Sequence, residues 1–195
     1  MENSATDTEL MLRFQQGDRE AFDKIVMRHQ VDLFNFFYRL TGDRHAAEDQ
    51  TQEVFLRLVL HASTYEPVAK FTTYLYRIAR NCWIDCHRRH KRQHSMQSLD
   101  KTLRAQDSGE KEENLYDRLC ASNHDPAESM EKNHRQTMVE EALAHLPEEL
   151  QIVVVLSEVK GMKYADIAET LDIPLGTVKS RMHTAIQRLR EYLET

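Results

Sequence analysis

The chain has 195 residues, a formal net charge of -6, sparse Gly and Pro (5 and 4) and 30% charged side chains. That length allows one domain or two small ones, and no run is apolar enough to span a bilayer or act as a secretory signal, so no direct membrane insertion is expected. Three cysteines, Cys82, Cys86 and Cys120, are an odd number without disulfide-framework spacing, which fits a reducing, cytoplasmic setting. An acidic total means that nucleic acid would be met through local basic patches, and it leaves acidic surface for a protein partner.

In chain order, Asp7 to Gln16 reads as a first helix with Leu10, Met11 and Phe14 apolar and Gly17 at its end, and Asp18 caps a second. Phe22, Ile25, Val26, Leu33, Phe36, Phe37 and Leu40 continue a helical core pattern to the Gly42-Asp43 break. From Ala46 to Leu60, the stripe Val54, Phe55, Leu58 and Val59 is apolar, while Asp49, Gln52, Glu53 and Arg57 share another face. That polar face suits either solvent or a docked basic helix, and periodicity does not choose between them.

Phe71 to Arg92 is a helix with Leu75, Ile78, Ala79, Cys82 and Cys86 on its buried stripe, which sets Tyr76, Arg80, Trp83 and His87 on a different face. Six basic residues lie between Arg77 and Arg92 against one acid, Asp85. Aromatic rings among cations suit unpaired bases, since rings stack on bases while cations hold the backbone. A helix with core aromatics and a merely soluble basic end has the same pattern. Cys82, Cys86 and His90 stand at i, i+4 and i+8, a spacing a metal site could use, but thiols on an apolar stripe behave as small hydrophobes and no CxxC or HExxH completes a site. No metal and no cofactor is expected.

Periodicity fails from about His94 to Arg135, where nine acids stand against six bases; this reads as a flexible linker with a short helix near Leu115 to Leu119. It resumes at Met138, Val139, Leu143 and Leu146. Pro147 starts the next helix, PEELQIVVVLSEV, with Gly161 beyond its end; the run Ile152 to Val155 has strand propensity, but its place before two further helices favours a buried helix. Tyr164 to Leu171 is then a short helix, Asp172-Ile173-Pro174 a break, and a second helix follows from about Leu175. In that last helix Val178, Met182, Ala185, Ile186 and Leu189 form the inward stripe. The other face carries Lys179, Ser180, Arg181, His183, Thr184, Gln187 and Arg188, donors and cations that a major groove can accept. A solvated amphipathic helix in a bundle would have the same face.

Together these stretches resemble the sigma-70 family of bacterial transcription initiation factors, in its extracytoplasmic-function (ECF) subfamily. Ala47 to Phe55, AEDQTQEVF, is similar to the family's AEDxxQExF; Phe71 to Asn81, FTTYLYRIARN, to its FxTWLYRIARN, with Tyr74 in place of Trp; and Gly176 to Arg181, GTVKSR, to its GTVKSR. The resemblance implies an all-α fold of two small helical domains: region two at 8–93, a linker at 94–134, and region four with its helix-turn-helix at 135–193. It implies that Asp49, Gln52, Glu53 and Phe55 dock on core RNA polymerase. It further implies that Tyr65, Phe71, Tyr74, Tyr76, Arg80, Asn81, Trp83, Arg88 and Arg89 serve the melted minus-ten element of promoter DNA, with Asn81 bonding a flipped non-template base and Arg80, Arg88 and Arg89 on phosphates. Lys179, Ser180, His183 and Thr184 would read the duplex minus-thirty-five element, with Arg181 and Arg188 on its backbone. Such proteins are commonly held by an anti-sigma factor, so one is expected here. No step needs catalytic side chains, and the expectation is a non-enzyme. A helix-turn-helix regulator working without polymerase is the alternative, and a metal- or thiol-dependent sensor built on Cys82, Cys86 and His90 a further one.

Overall fold

The computed structural model describes residues 5–97, 138 and 141–194; the expected helix near Leu115 to Leu119, and Cys120 with it, lie outside the described residues. Every regular element among them is helical: α1 (Asp7–Gln15), α2 (Arg19–Thr41), α3 (Arg44–Leu60), a 3-10 turn (Ala62–Thr64), α4 (Phe71–Gln97), α5 (Glu148–Lys160), α6 (Tyr164–Leu171) and α7 (Leu175–Leu193).

The sequence signals for helix ends act as expected. Thr6 and Glu9 form a reciprocal capping box at α1, each side chain serving the other's backbone N–H. Asp18 caps α2 through Ala21 N–H and also binds Arg13, which holds its carboxyl below the usual carboxylate range. Gly42 ends α2 in the left-handed region, φ 65°, and Asp43 caps α3 by accepting from His45 and Ala46. Asp172, at φ 54°, makes the turn between α6 and α7, a conformation that Asp tolerates better than most residues. The Ile152 to Val155 run is helical and buried, since α2, α6 and α7 all pack against α5.

In the amino-terminal half, α2 is the spine. It packs against both α1 and α3, and α4 closes the bundle over α3. Phe36 meets Phe37 and Tyr76 edge-on, with centroids 5.1 and 5.3 Å apart. Gln15 donates to the carbonyls of Ala62 and Tyr65, at 2.6 and 2.9 Å, and so ties α1 to the approach of α4. In the carboxyl-terminal half, α6 and α7 stack on α5 as a helix-turn-helix.

The two halves also pack together, α5 on α2 and α6 on α4, and their buried apolar side chains form one continuous cluster. Polar contacts frame the seam: Lys70 Nζ lies 2.8 and 2.9 Å from the two Asp166 oxygens, Arg77 reaches the Glu169 carbonyl at 3.4 Å, and Gln151 donates to the Leu40 carbonyl at 3.4 Å. His87 Nε2 sits 2.5 Å from Glu148 Oε1.

Three expected faces need correction. Tyr76 and Trp83 are not on an outward face of α4: Tyr76 is fully buried against Phe36, and Trp83 is 7% exposed beneath the carboxyl-terminal half. Val59 and Ile186 were expected to face inward, but each is 40% exposed, because the partner helices cover a narrower stripe than the apolar pattern spans. Helix α4 continues to Gln97, past the expected start of the linker at residue 94.

Candidate promoter and polymerase interface

On α3, Asp49 and Gln52 are exposed and Glu53 is half-buried, so the polar face points outward. Glu53 accepts from Arg57 at 2.7 Å, and Arg57 reaches across to Asp85 of α4 at 3.0 Å. The Glu53 carboxylate, with Asp85 behind it, holds the Arg57 guanidinium above its ordinary value despite its partial burial. This charge chain fixes the register of α3 on α4. Phe55 is half-buried and packs edge-on to Phe22 at 6.3 Å, which itself stacks on Phe14 at 4.7 Å; it supports the face more than it projects from it.

Two residues that the sequence reading passed over complete this surface. Leu56 is 54% and Leu60 66% exposed. Counting from Asp49, residues 49, 52, 53, 56 and 60 fall at i, i+3, i+4, i+7 and i+11, a single helical stripe. The signal was present as spacing, but Leu56 and Leu60 belong to an apolar run that reads as core.

The nine minus-ten candidates divide by burial. Tyr65, Phe71 and Tyr76 are buried, and Tyr65 and Phe71 meet edge-on at 6.2 Å. Tyr74 is half-buried, its ring 5.0 Å from that of Tyr65, and burial raises the phenol pKa of Tyr65, Tyr74 and Tyr76 alike. Asn81, Arg88 and Arg89 are exposed, and Arg80 is half-buried. Trp83 stands beside His87, centroids 5.5 Å apart, in a cleft of about 300 Å³ that Arg80, Arg88, Glu148, Glu149 and Arg181 also line. The aromatic cluster is therefore a platform under Tyr74, and the polar donors follow it along α4.

On α7, Val178, Met182 and Ala185 are buried, which turns Lys179, Ser180, His183 and Arg188 to the outside. The Ser180 and Thr184 hydroxyls donate to the Thr177 and Ser180 carbonyls, both at 3.0 Å, so each offers a base edge its lone pairs and not its proton. Arg181 is drawn away from this face to Glu149, at 2.5 Å.

Burial pushes the Cys82 thiol up to about 11, with Arg57 offsetting part of the effect. A thiol so protonated is a poor nucleophile and a poor metal ligand at neutral pH. Among the described residues, no three His, Cys, Asp or Glu side chains gather closely enough to hold a metal ion, and no helix is long and apolar enough to cross a membrane.

This geometry, an exposed stripe on α3 beside a cationic aromatic helix plus a separate helix-turn-helix, coincides with two family matches: sigma-70 region 2 over residues 25–93 and sigma-70 region 4 over residues 136–189. The ECF RNA polymerase sigma factor SigW of Bacillus subtilis is 32% identical, with 91% of each chain covered. The ECF RNA polymerase sigma factor SigE of Mycolicibacterium smegmatis is 34% identical over 91% of this chain, which spans 64% of that relative's length. The fold matches that of CnrH, solved in complex with the cytosolic domain of CnrY (TM-score 0.67, 21% identity, 96% of this chain and 97% of that one). It also matches Bartonella quintana RpoE, solved in complex with the anti-sigma factor NepR (TM-score 0.63, 20% identity, 89% and 97%). The chain belongs to the sigma-70 family, among the ECF RNA polymerase sigma factors.

Proposed function

We propose that the chain docks on core RNA polymerase through the outer stripe of α3, captures the melted non-template strand of the minus-ten element with α4, and reads the minus-thirty-five duplex with α7. The observation that carries this reading is the adjacency of two unlike surfaces, the Asp49, Gln52, Glu53, Leu56 and Leu60 stripe and the Asn81 region, on helices locked together through Glu53, Arg57 and Asp85. Polymerase bound to α3 thereby sets the position of α4 on the DNA.

The roles follow from exposure. Asn81 offers an amide edge to a flipped base, and Arg80, Arg88 and Arg89 offer charge to phosphates. Tyr74, held by the Tyr65 and Phe71 rings, supplies the stacking surface. Tyr76 keeps α4 seated on α2 and touches no DNA. Lys179, Ser180, His183 and Thr184 read bases while Arg188 holds backbone, and Arg181 joins it after leaving Glu149.

The protein acts as a binding subunit in the cytoplasm, without cofactor or catalytic side chains. An anti-sigma factor holds it inactive; the exposed Leu56, Val59 and Leu60 give such a partner an apolar handhold, and RpoE of Bartonella quintana, which has the same fold, was solved bound to the anti-sigma factor NepR.

The test separates the two surfaces. Asn81→Ala should lower open-complex formation about tenfold, the value of one good base contact, with core polymerase affinity unchanged. Asp49→Ala combined with Gln52→Ala, both exposed and outside the Glu53, Arg57 and Asp85 chain, should lower polymerase affinity and leave the open complex normal at saturating polymerase. Equal loss of polymerase affinity in both variants contradicts the assignment.

A further inference from the structure

Helix α1 lies outside residues 25–93, the stretch matched to sigma-70 region 2, and has none of the promoter or polymerase contacts proposed for α3, α4 and α7. Both of its ends are nonetheless fastened to the parts of the chain that carry the stacking rings. At the carboxyl end, Gln15 Nε2 donates to two carbonyls, that of Ala62 at 2.6 Å and that of Tyr65 at 2.9 Å. At the amino end, the Asp7 carboxylate accepts from His29 of α2 at 2.9 Å and from Arg28 at 2.7 Å, and Arg28 also donates to the Ala5 carbonyl at 2.8 Å. The reciprocal cap of Thr6 and Glu9 fixes the first turn beside these contacts.

From these two ends a set of touching rings leads to Tyr74. His29 is 5% exposed, and its ring meets that of Phe71 at 5.6 Å. Phe71 meets Tyr74 at 6.5 Å, and Tyr65, whose carbonyl Gln15 holds, meets Tyr74 at 5.0 Å. Rings at such separations are in packing contact, so the tilt of the half-buried Tyr74 follows that of the two buried rings beneath it. His29 is an unusual choice for a mere filler. Its Nδ1 is buried with no hydrogen-bond partner among the described residues, a desolvation cost that an apolar ring would avoid, and the bond from Nε2 to Asp7 offsets it. The imidazole joins α1 to Phe71, which an apolar side chain could not do.

We propose that α1 is a brace for strand capture: Gln15, through the Ala62 and Tyr65 carbonyls, and Asp7 with His29, through Phe71, are positioning residues that hold Tyr74 at the height and tilt at which a flipped base stacks. The proposal rests on the stacking role given to Tyr74 under the proposed function, and it names the residues that stand behind that ring. None of them touches DNA. Gln15 is half-buried and His29 buried, so each acts only through the rings it holds. A stacking surface is effective when its geometry is set before the base arrives, and two fastenings at opposite ends of one rigid helix set it better than either alone.

The probe is a single-stranded non-template oligonucleotide spanning the minus-ten element of a promoter that the native holoenzyme opens; its affinity for core RNA polymerase carrying the full chain is read by fluorescence anisotropy. Gln15→Ala should weaken capture about three- to tenfold, and Gln15→Glu more, because a carboxylate then faces two carbonyl oxygens. Gln15→Lys, which still donates, should restore capture to within about twofold of native. His29→Ala, acting from the other end of α1, should weaken it as Gln15→Ala does. Polymerase affinity and helix content by circular dichroism should stay native throughout. A double-mutant cycle separates positioning from general stability: Tyr74→Ala alone should weaken capture about tenfold or more, and adding Gln15→Ala to it should change nothing further, since no ring is left to position. Native capture by both Gln15→Ala and His29→Ala overturns the proposal, as does a Gln15→Ala effect that persists undiminished without the Tyr74 ring, or polymerase affinity that falls in step with capture. Native capture by Tyr74→Ala contradicts the stacking role itself, and the proposal with it, so the two failures are told apart by that one variant.

Discussion

Tyr76 and Trp83 illustrate how far single residues can be read from sequence. Both sit in a stretch where rings alternate with cations, and that pattern is shared by a base-stacking surface and by a core helix with a charged end. Burial decides: Tyr76 has no exposed surface, and its ring meets Phe36 edge-on. Tyr76→Ala should therefore destabilise the chain by about 3–5 kcal/mol in denaturant unfolding. Tyr76→Phe should leave open-complex formation unchanged, because no base reaches the ring. Cys82 was legible as a buried small hydrophobe from its stripe, and its environment extends the point. With its thiol pushed up to about 11, iodoacetamide should label it in the native chain about a hundredfold more slowly than in the unfolded chain at pH 8. The sign for stability follows: the folded state binds this proton more tightly than the unfolded state does, so the contribution is complete below the unfolded thiol's pKa and is lost as pH rises toward 11.

At the scale of elements, the boundaries were written in the chain by specific chemistry. Asp18, Gly42, Asp43, Pro147, Gly161 and Asp172 stand at helix ends as capping and left-handed residues should. Gly42 is the sharpest case, since φ of 65° is strained for any residue with a Cβ. Gly42→Ala should cost about 1 kcal/mol and lower the melting temperature, although an added Cβ meets no atom within 4 Å. Faces were harder to read than ends. Leu56 and Leu60 lie on the exposed stripe of α3 but resemble core in composition, and periodicity, which cannot say how wide a neighbouring helix is, turns Val59 and Ile186 inward. Glu53 is a contrasting case: its i+4 pairing with Arg57 was visible, while the second contact of Arg57, to Asp85 on α4, depends on how α3 and α4 cross.

For the whole molecule, the two helical halves and their order followed from motifs, and the seam between them did not. Lys70 and Asp166 are 96 positions apart, and Gln151 and Leu40 are 111 apart. No local pattern encodes such pairs, because each side chain would be equally at home in solvent. The same holds for Glu148 and Glu149, which look like ordinary first-turn acids complementing a helix dipole until α4 is seen opposite them. A chain of net charge -6 is poorly equipped to hold DNA unaided and meets it through local basic patches.

The most direct test of this account is run-off transcription by purified core RNA polymerase on a promoter library, with and without the chain. Transcripts that appear only with the chain, from starts sharing two upstream elements spaced to suit α4 and α7, are the predicted result. Duplex binding by the chain alone, with no chain-dependent transcript, would contradict it and leave α7 as the head of a regulator that works without polymerase.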